Sequence, residues 1–449
     1  MPKVFAFVLP LMLTNLLQAF YSAADMIVVS LSNVEGAVGA IGTTTSLINL
    51  INNIFIGFSI GANVIVAKRL GRNSVDHTEK AVHTSIIISA IFGLVCMAVG
   101  LFASSPILKL MGDEGHILEL ASTYTFYCFL GVPFMAISNN LIAIFRAKGD
   151  TKTPLYVLTS TGALNIMLNL FFVLVCRMSV AGVAIATAAA NAVSAVVLLY
   201  ILSKDTGVCK FSFKKLRLNK RAFIDILCIG LPASVQGALF SLSNIIIQSS
   251  IIGINNMVCP GGSAIIDGNS AASSLETFIY TATNSVYTAS VTFVSQHHGA
   301  RKYKRIGSVM RSCYFVTFTI AAVGTAILFL FKGFFISLYV KNPQAIAAAT
   351  TRIYYVAIPY FLAAFMEIGS GVVRGFGRSL TSTIVSLVGS CVFRIVWIIT
   401  VCSAYPALEV IYLSYPISWG LTALIHFIVS LFLRRKYMKK YPESKLTQA

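Results

Sequence analysis

Apolar residues gather in long blocks, at roughly 4–31, 37–67, 80–104, 117–145, 153–176, 180–203, 222–254, 263–296, 306–331, 345–373, 380–403 and 408–433, with polar and basic residues concentrated between them. A helix rising 1.5 Å per residue needs about 20 residues to cross a bilayer core, and every block has them. The pattern predicts twelve membrane-spanning helices. Within some blocks, polar positions recur at steps of three and four. Thr14, Gln18, Tyr21, Ser22 and Asp25 form such a stripe on the first span, and Glu276, Tyr280, Thr283, Asn284 and Tyr287 another on the eighth. Ser241, Asn244 and Gln248 mark the seventh. A polar stripe on a helix otherwise suited to lipid is expected to face a wet interior.

The blocks repeat. Arg146-Ala147-Lys148-Gly149 closes one span and Arg374-Gly375-Phe376-Gly377 closes another 228 residues later. Gly71 and Gly299, Val66 and Val294, and Thr153 and Thr381 keep the same offset, while Pro10 and Pro232 stand near the starts of the first and seventh spans. The basic stretch 204–221 falls after the sixth span. The predicted organisation is an all-α polytopic membrane protein with a six-helix lobe at 1–203, a cytoplasmic linker at 204–221, a second six-helix lobe at 222–436 and a cytoplasmic tail at 437–449. Six is even, so both lobes enter the membrane from the same side and the repeats are parallel, as in many carriers.

Composition agrees with the blocks: the chain is 57% hydrophobic and only 11% charged over 449 residues. The net charge of +19 suggests nucleic acid until the basic residues are placed. With the N-terminus cytoplasmic, 28 of the 34 Lys and Arg fall on the cytoplasmic side; Lys109, Arg177, Lys332, Lys341 and Arg352 fall outside, and Arg394 lies within a span. That is the positive-inside asymmetry of a cell-membrane protein with both termini cytoplasmic, and no nucleic-acid partner is expected. The nine cysteines contain no Cys-x-x-Cys and sit mostly inside spans, so neither a disulfide framework nor a zinc site is indicated.

Charge inside a bilayer costs about 2.5–3.5 kcal/mol per residue on insertion scales, so each intramembrane acid is a functional candidate. Asp25, Glu276 and Glu367 qualify. Asp25 is read as the group that binds a coupling cation, a proton or a transient Na⁺, with the amides of Asn165 and Asn169 on the fifth span and the hydroxyl of Thr187 on the sixth as its partners; the alternative is a structural acid hydrogen-bonded to neighbouring helices, with the two amides as interhelical ties, and no resident metal or cofactor is expected. Glu276 and Glu367, with Gln18, Tyr21, Asn244, Gln248, Tyr280 and Asn284, are read as lining a polar, acid-bearing cavity with aromatic walls for a lipophilic cation. Either glutamate could instead be paired with a buried donor such as Arg394. Gly57-Phe58-Ser59-Ile60-Gly61 fits the Gly-x-Ser-x-Gly pattern of hydrolases but lacks its strand-turn-helix setting, and no enzyme is expected.

The segments "PLMLTNLLQAFYSAADMIVVS" from Pro10, "GFSIGANVIVAKRLG" at 57–71, "FRAKGDTKTPL" at 145–155, "LNIMLNLFFV" at 164–173, "GLPASVQ" at 230–236, "TFVSQHHGARKYKRI" at 292–306 and "MEIGSGVVRGFGRS" at 366–379 together resemble the multidrug and toxic compound extrusion (MATE) family of the MOP flippase superfamily. The resemblance implies twelve helices in two lobes and efflux of small organic compounds in exchange for Na⁺ or H⁺. In one branch of that family the first-helix Asp works with an Asn-x-x-x-Asp pair and a Thr. Asp25, Asn165 and Thr187 match, while Asn169 replaces the second acid. The expected function is multidrug efflux by antiport, carried out by a monomer through alternating access. The alternative is a lipid-linked oligosaccharide flippase of the same superfamily.

Overall fold

The computed structural model describes residues 2–30, 34, 37–110, 115–258 and 262–442, and among them it contains helices and no strand. The helices are α1 (Pro2–Ser30), α2 (Ala37–Gly71), α3 (Val75–Leu110), α4 (Gly115–Lys148), α5 (Lys152–Leu170), α6 (Ser179–Lys204), α7 (Lys220–Val258), α8 (Ala264–Gly299), α9 (Tyr303–Leu330), α10 (Lys332–Ser337), α11 (Pro343–Arg352), α12 (Tyr360–Gly375), α13 (Ser379–Ser386), α14 (Phe393–Trp397) and α15 (Leu408–Lys440). Every apolar block of the sequence falls on one of these helices or on a short series of them. Among the described residues ten helical segments are long and apolar enough to cross a membrane, and the bent pair Pro343–Ala357 and Tyr360–Gly375 makes an eleventh. The remaining long helix, α8, has 36 residues; its polar stripe, not its length, lowers its hydropathy. Large apolar side chains such as Phe102, Leu330 and Ile399 point outward, as lipid requires.

By internal packing the chain divides into two compact units, Leu13–Ser234 and Met1–Met12 with Val235–Ala449. The divisions fall inside α1 and α7. The stretch 204–221 is part of the first unit, where it forms a docked strap. Cys209 and Phe211 are buried, the Phe211 ring stacks on His83, and the amides of Ser212 and Asn219 donate to His83 Nε2 and Thr84 Oγ1, both at 3.1 Å. Ion pairs Lys148–Asp205 and Lys215–Glu79 hold its margins. Partial burial pushes the Asp205 carboxyl up, but the hydrogen bond from Lys148 and the amides of Gly207 and Thr206 outweigh it and hold the group below the usual carboxylate range.

Each unit repeats one plan. In the first, α4 packs against α2, α3 and α6; in the second, α12 packs against α8, α9 and α15. The chain turns match bond for bond at an offset of 228. After α2, Asn73 N donates to Leu70 O and Ser74 N to Arg69 O; after α8, Arg301 N donates to His298 O and Lys302 N to His297 O. Asn73 and Arg301 share a left-handed backbone, φ 54° and 57°. After α4 and α12 the left-handed position is glycine, Gly149 at φ 90° and Gly377 at φ 77°. Asp150 N then reaches back to Phe145 O and Arg378 N to Val373 O, the six-to-one bond that closes a helix C-terminus.

Several spans depart from α geometry. Five-residue π segments occupy Phe171–Val175, Ile353–Ala357 and Ile398–Cys402, and a six-residue one occupies Leu387–Val392. Such insertions re-aim side chains and occur often at functional positions. Here they follow Asn169 by two residues, follow Arg352 directly, and enclose Arg394 on both sides.

Candidate functional site

Each unit contains its own buried polar cluster, and the two differ in charge. In the first unit the cluster is built by α1, α5 and α6. The α1 helix lies close to α5 because residue 162 is glycine: a Cβ there would run into the Tyr21 ring. Tyr21 donates to Thr159 O at 3.2 Å, which fixes the rotation of α1 and turns Asp25 toward α5. Asn169 Nδ2 donates to Asp25 Oδ1. One turn earlier, Asn165 lies 3.2 Å from the Thr187 hydroxyl, and with its amide nitrogen turned to the carboxylate it donates to Asp25 Oδ1 at 3.0 Å. Asn169 Oδ1 is buried without a partner among the described residues.

The result is one carboxylate facing two amides, one of which is bonded to the Thr187 hydroxyl. An amide offers nitrogen on one side and oxygen on the other, so the same residues can donate to a bare carboxylate or, turned over, present oxygens to a bound cation. Carboxylate, carbonyl and hydroxyl oxygens are the ligand types that hard cations take.

In the second unit the polar groups are already paired to a large degree. Arg352 is bidentate to Glu276, Nε to Oε1 at 3.0 Å and Nη2 to Oε2 at 2.7 Å, and its Nη1 donates to Asn269 Oδ1 at 2.6 Å. Tyr412 donates to the same Asn269 oxygen at 3.1 Å, and Asn269 Nδ2 donates to Gln248 Oε1 at 3.1 Å. Glu276 and Arg352 are 5% and 6% exposed. The sequence reading counts Arg352 with the basic residues of the outer side; the structure buries its side chain within the second unit. A charge at the edge of its apolar block suggests water, but Arg352 ends α11 with its guanidinium on Glu276 and Asn269 of α8. The donor to Glu276 is therefore Arg352 and not Arg394.

Arg394, 3% exposed, donates from Nε to Ser418 Oγ at 2.9 Å and lies over the rings of Tyr415 and Trp419, 4.3 and 5.5 Å from their centroids. Arg374 donates to Tyr287 Oη and, at 2.7 Å, to Gln236 Oε1, with its Nε unpartnered among the described residues. Glu367 stands two turns before it on α12 and shares its electrostatic field, together with those of Tyr280, Tyr287 and Tyr360, but forms no hydrogen bond or ion pair among the described residues.

The structure brings Asp25, Asn165, Asn169 and Thr187 into one cluster. It places Gln248 and Glu276 in the Arg352 network and sets Asn284 Nδ2 3.4 Å from Tyr280 Oη. Gln18, Asn244 and Tyr280 are exposed on their own units. Sequence reasoning missed Asn269, Gln236 and Tyr412. Asn269 lay seven residues before Glu276, two helical turns along the same face, and that spacing was the one available signal.

Residues 10–171 and 232–400 match the family described as MatE. The chain is 24% identical over 433 residues to the probable multidrug resistance protein YoeA of Bacillus subtilis, spanning 93% of this chain and 91% of that one. It is 22% identical to the probable multidrug resistance protein NorM of Thermotoga maritima, over 85% and 81% of the two chains. Among solved structures it superposes on an outward-facing multidrug resistance MATE family transporter of the MOP superfamily with a TM-score of 0.89 at 20% identity, over 97% of this chain and 96% of the other.

Proposed function

Because this chain belongs to the MatE family, we propose that it is a secondary active exporter that moves organic cations out of the cell in exchange for Na⁺ or H⁺ by alternating access. The observation that carries this reading is the Asp25 cluster: an intramembrane carboxylate whose hydrogen-bond partners among the described residues are amides, with the Thr187 hydroxyl bonded to one of them. A carboxylate so placed exchanges one cation for another without first breaking a salt bridge. Asn165 and Asn169 hold it while it is bare; when Na⁺ or a proton arrives, the amides turn their oxygens inward and Thr187 completes the set. Glu276 is less suited to that task, because Arg352 already compensates it.

The relatives are named for multidrug resistance, which supports export of small organic compounds and does not favour oligosaccharide-lipid flipping. The test is efflux of a fluorescent organic cation from proteoliposomes under separately imposed Na⁺ and H⁺ gradients. Asp25→Asn is expected to abolish the gradient-driven component while leaving slow downhill exchange. Full gradient-driven efflux by Asp25→Asn would remove Asp25 from the mechanism, and a wild-type response to neither gradient would remove the antiport itself.

A further inference from the structure

The second unit carries a groove of about 360 Å³ on its outer surface, between α9 and the bent α11–α12 pair. Its origin is local. The π segment Ile353–Ala357 and the break before Tyr360 bend the span by 44°. The facing surface of α9 carries Ala321, Ala322 and Ala326, too small to fill the gap. Thr325 Oγ1 donates to Ala357 O at 3.1 Å and ties the two walls together at the break.

Edge-on aromatic pairs close the groove at both ends. Phe318 meets Phe361 at one end, with ring centroids 5.9 Å apart, and Phe329 meets Tyr354 at the other, 5.6 Å apart. Lys332 stands over that second pair, its Nζ 4.3 Å from the Phe329 centroid and 4.5 Å from that of Tyr354, and it donates to Tyr354 Oη at 2.7 Å. The ammonium makes no ion pair among the described residues. Two of its three protons remain to be used. From Phe318 to Phe329 is eleven residues of helix, roughly 16 Å, close to half of the ~30 Å hydrocarbon core.

The geometry points to a binding site for one anionic phospholipid: an acyl chain lies in the groove along α9 and the phosphate of its headgroup sits on Lys332. The dimensions are those of one leaflet. By the distribution of basic residues that leaflet is the outer one. The site commits to an anionic headgroup because the cation at its rim is held by two rings and a hydroxyl instead of swinging free. A zwitterionic lipid offers the same chain but sets a choline or ethanolamine beside the lysine.

The experiment uses the full-length protein, purified in detergent and stripped of lipid, then incubated with dioleoylphosphatidylglycerol or dioleoylphosphatidylcholine, with retained lipid counted by native mass spectrometry. The wild type is expected to keep one phosphatidylglycerol in preference to phosphatidylcholine by about fivefold, the effect of one lysine at a membrane surface. Lys332→Gln should lose that preference yet still retain either lipid weakly. Ala326→Phe, which fills the groove, should retain neither. Thermal unfolding of both variants checks that they remain folded, and Ala322→Phe replaces Ala326→Phe if that variant does not. Equal retention of the two lipids by the wild type, or unchanged phosphatidylglycerol retention in Lys332→Gln, overturns the proposal.

Discussion

At the scale of single residues, the contrast between Asp25 and Glu276 decides what each can do. Arg352 holds Glu276 in two parallel charge-assisted bonds, so removing the arginine alone leaves a bare carboxylate in a low-dielectric interior. Arg352→Ala should cost about 3–5 kcal/mol, read as a large drop in thermal unfolding temperature in detergent. Replacing both partners, Glu276→Met with Arg352→Met, should recover most of it, since an apolar pair needs no compensation. A double variant as unstable as the single would show that the pair acts chiefly through Asn269. Gly162 makes the matching test in the first unit. Gly162→Leu pushes against the Tyr21 ring and should destabilise by about 1–3 kcal/mol, lowering ion-coupled efflux without touching a polar group of the cluster. Tyr21→Ala in the same chain should recover stability but not coupled efflux, because the Thr159 bond that orients Asp25 goes with the ring.

At the scale of elements, the strap 204–221 behaves as a folded part of the first unit. Phe211 is its anchor, buried at 3% exposure against His83. Phe211→Ala removes an aromatic ring from a packed site, a change that costs about 3–5 kcal/mol in cores. Cys209 reports the result: burial pushes its thiol up to about 12, so it should resist maleimide in the wild type and label in Phe211→Ala, with labelling mapped by mass spectrometry. Unchanged protection in the variant would show that the ion pairs and the Ser212 and Asn219 amide bonds hold the strap without the ring. The strap also shows what the sequence could and could not reveal. Block lengths placed the spans because lipid imposes a minimum length, and Gly149 and Gly377 disclosed the repeat because a left-handed helix cap selects glycine. The strap's docking was invisible because Phe211 and His83 are 128 residues apart. The pairing of Arg352 was invisible as well, because Glu276 stands 76 residues away. Asp25, Asn165, Asn169 and Thr187 were legible from helical spacing and resemblance, whereas the partner of Glu276 was not.

At the scale of the molecule, two units share one backbone plan and diverge in charge, and the divergence bears on how many charges move. The first unit offers a single carboxylate, because Asn169 stands where a second acid would double the site. The second unit offers Glu367 alone, since Glu276 is spoken for by Arg352. If Asp25 is the sole coupling group, one Na⁺ or H⁺ enters for each organic cation that leaves, and with a monovalent substrate no net charge crosses the membrane. The potential is worth about 2.3 kcal/mol per charge per 100 mV, or roughly fortyfold in accumulation, so the two stoichiometries separate cleanly. In proteoliposomes clamped with potassium and valinomycin, a monovalent fluorescent cation should accumulate to the same level at zero and 100 mV, while an uncharged substrate should respond by that full factor. A fortyfold response with the monovalent cation would mean that two charges enter. The second must then have its own acceptor, and Glu367, the intramembrane acid without a direct partner, is the residue to change. Glu367→Gln should return the response to that of one-for-one exchange, whereas Glu276→Gln should lower stability and leave the voltage dependence unaltered.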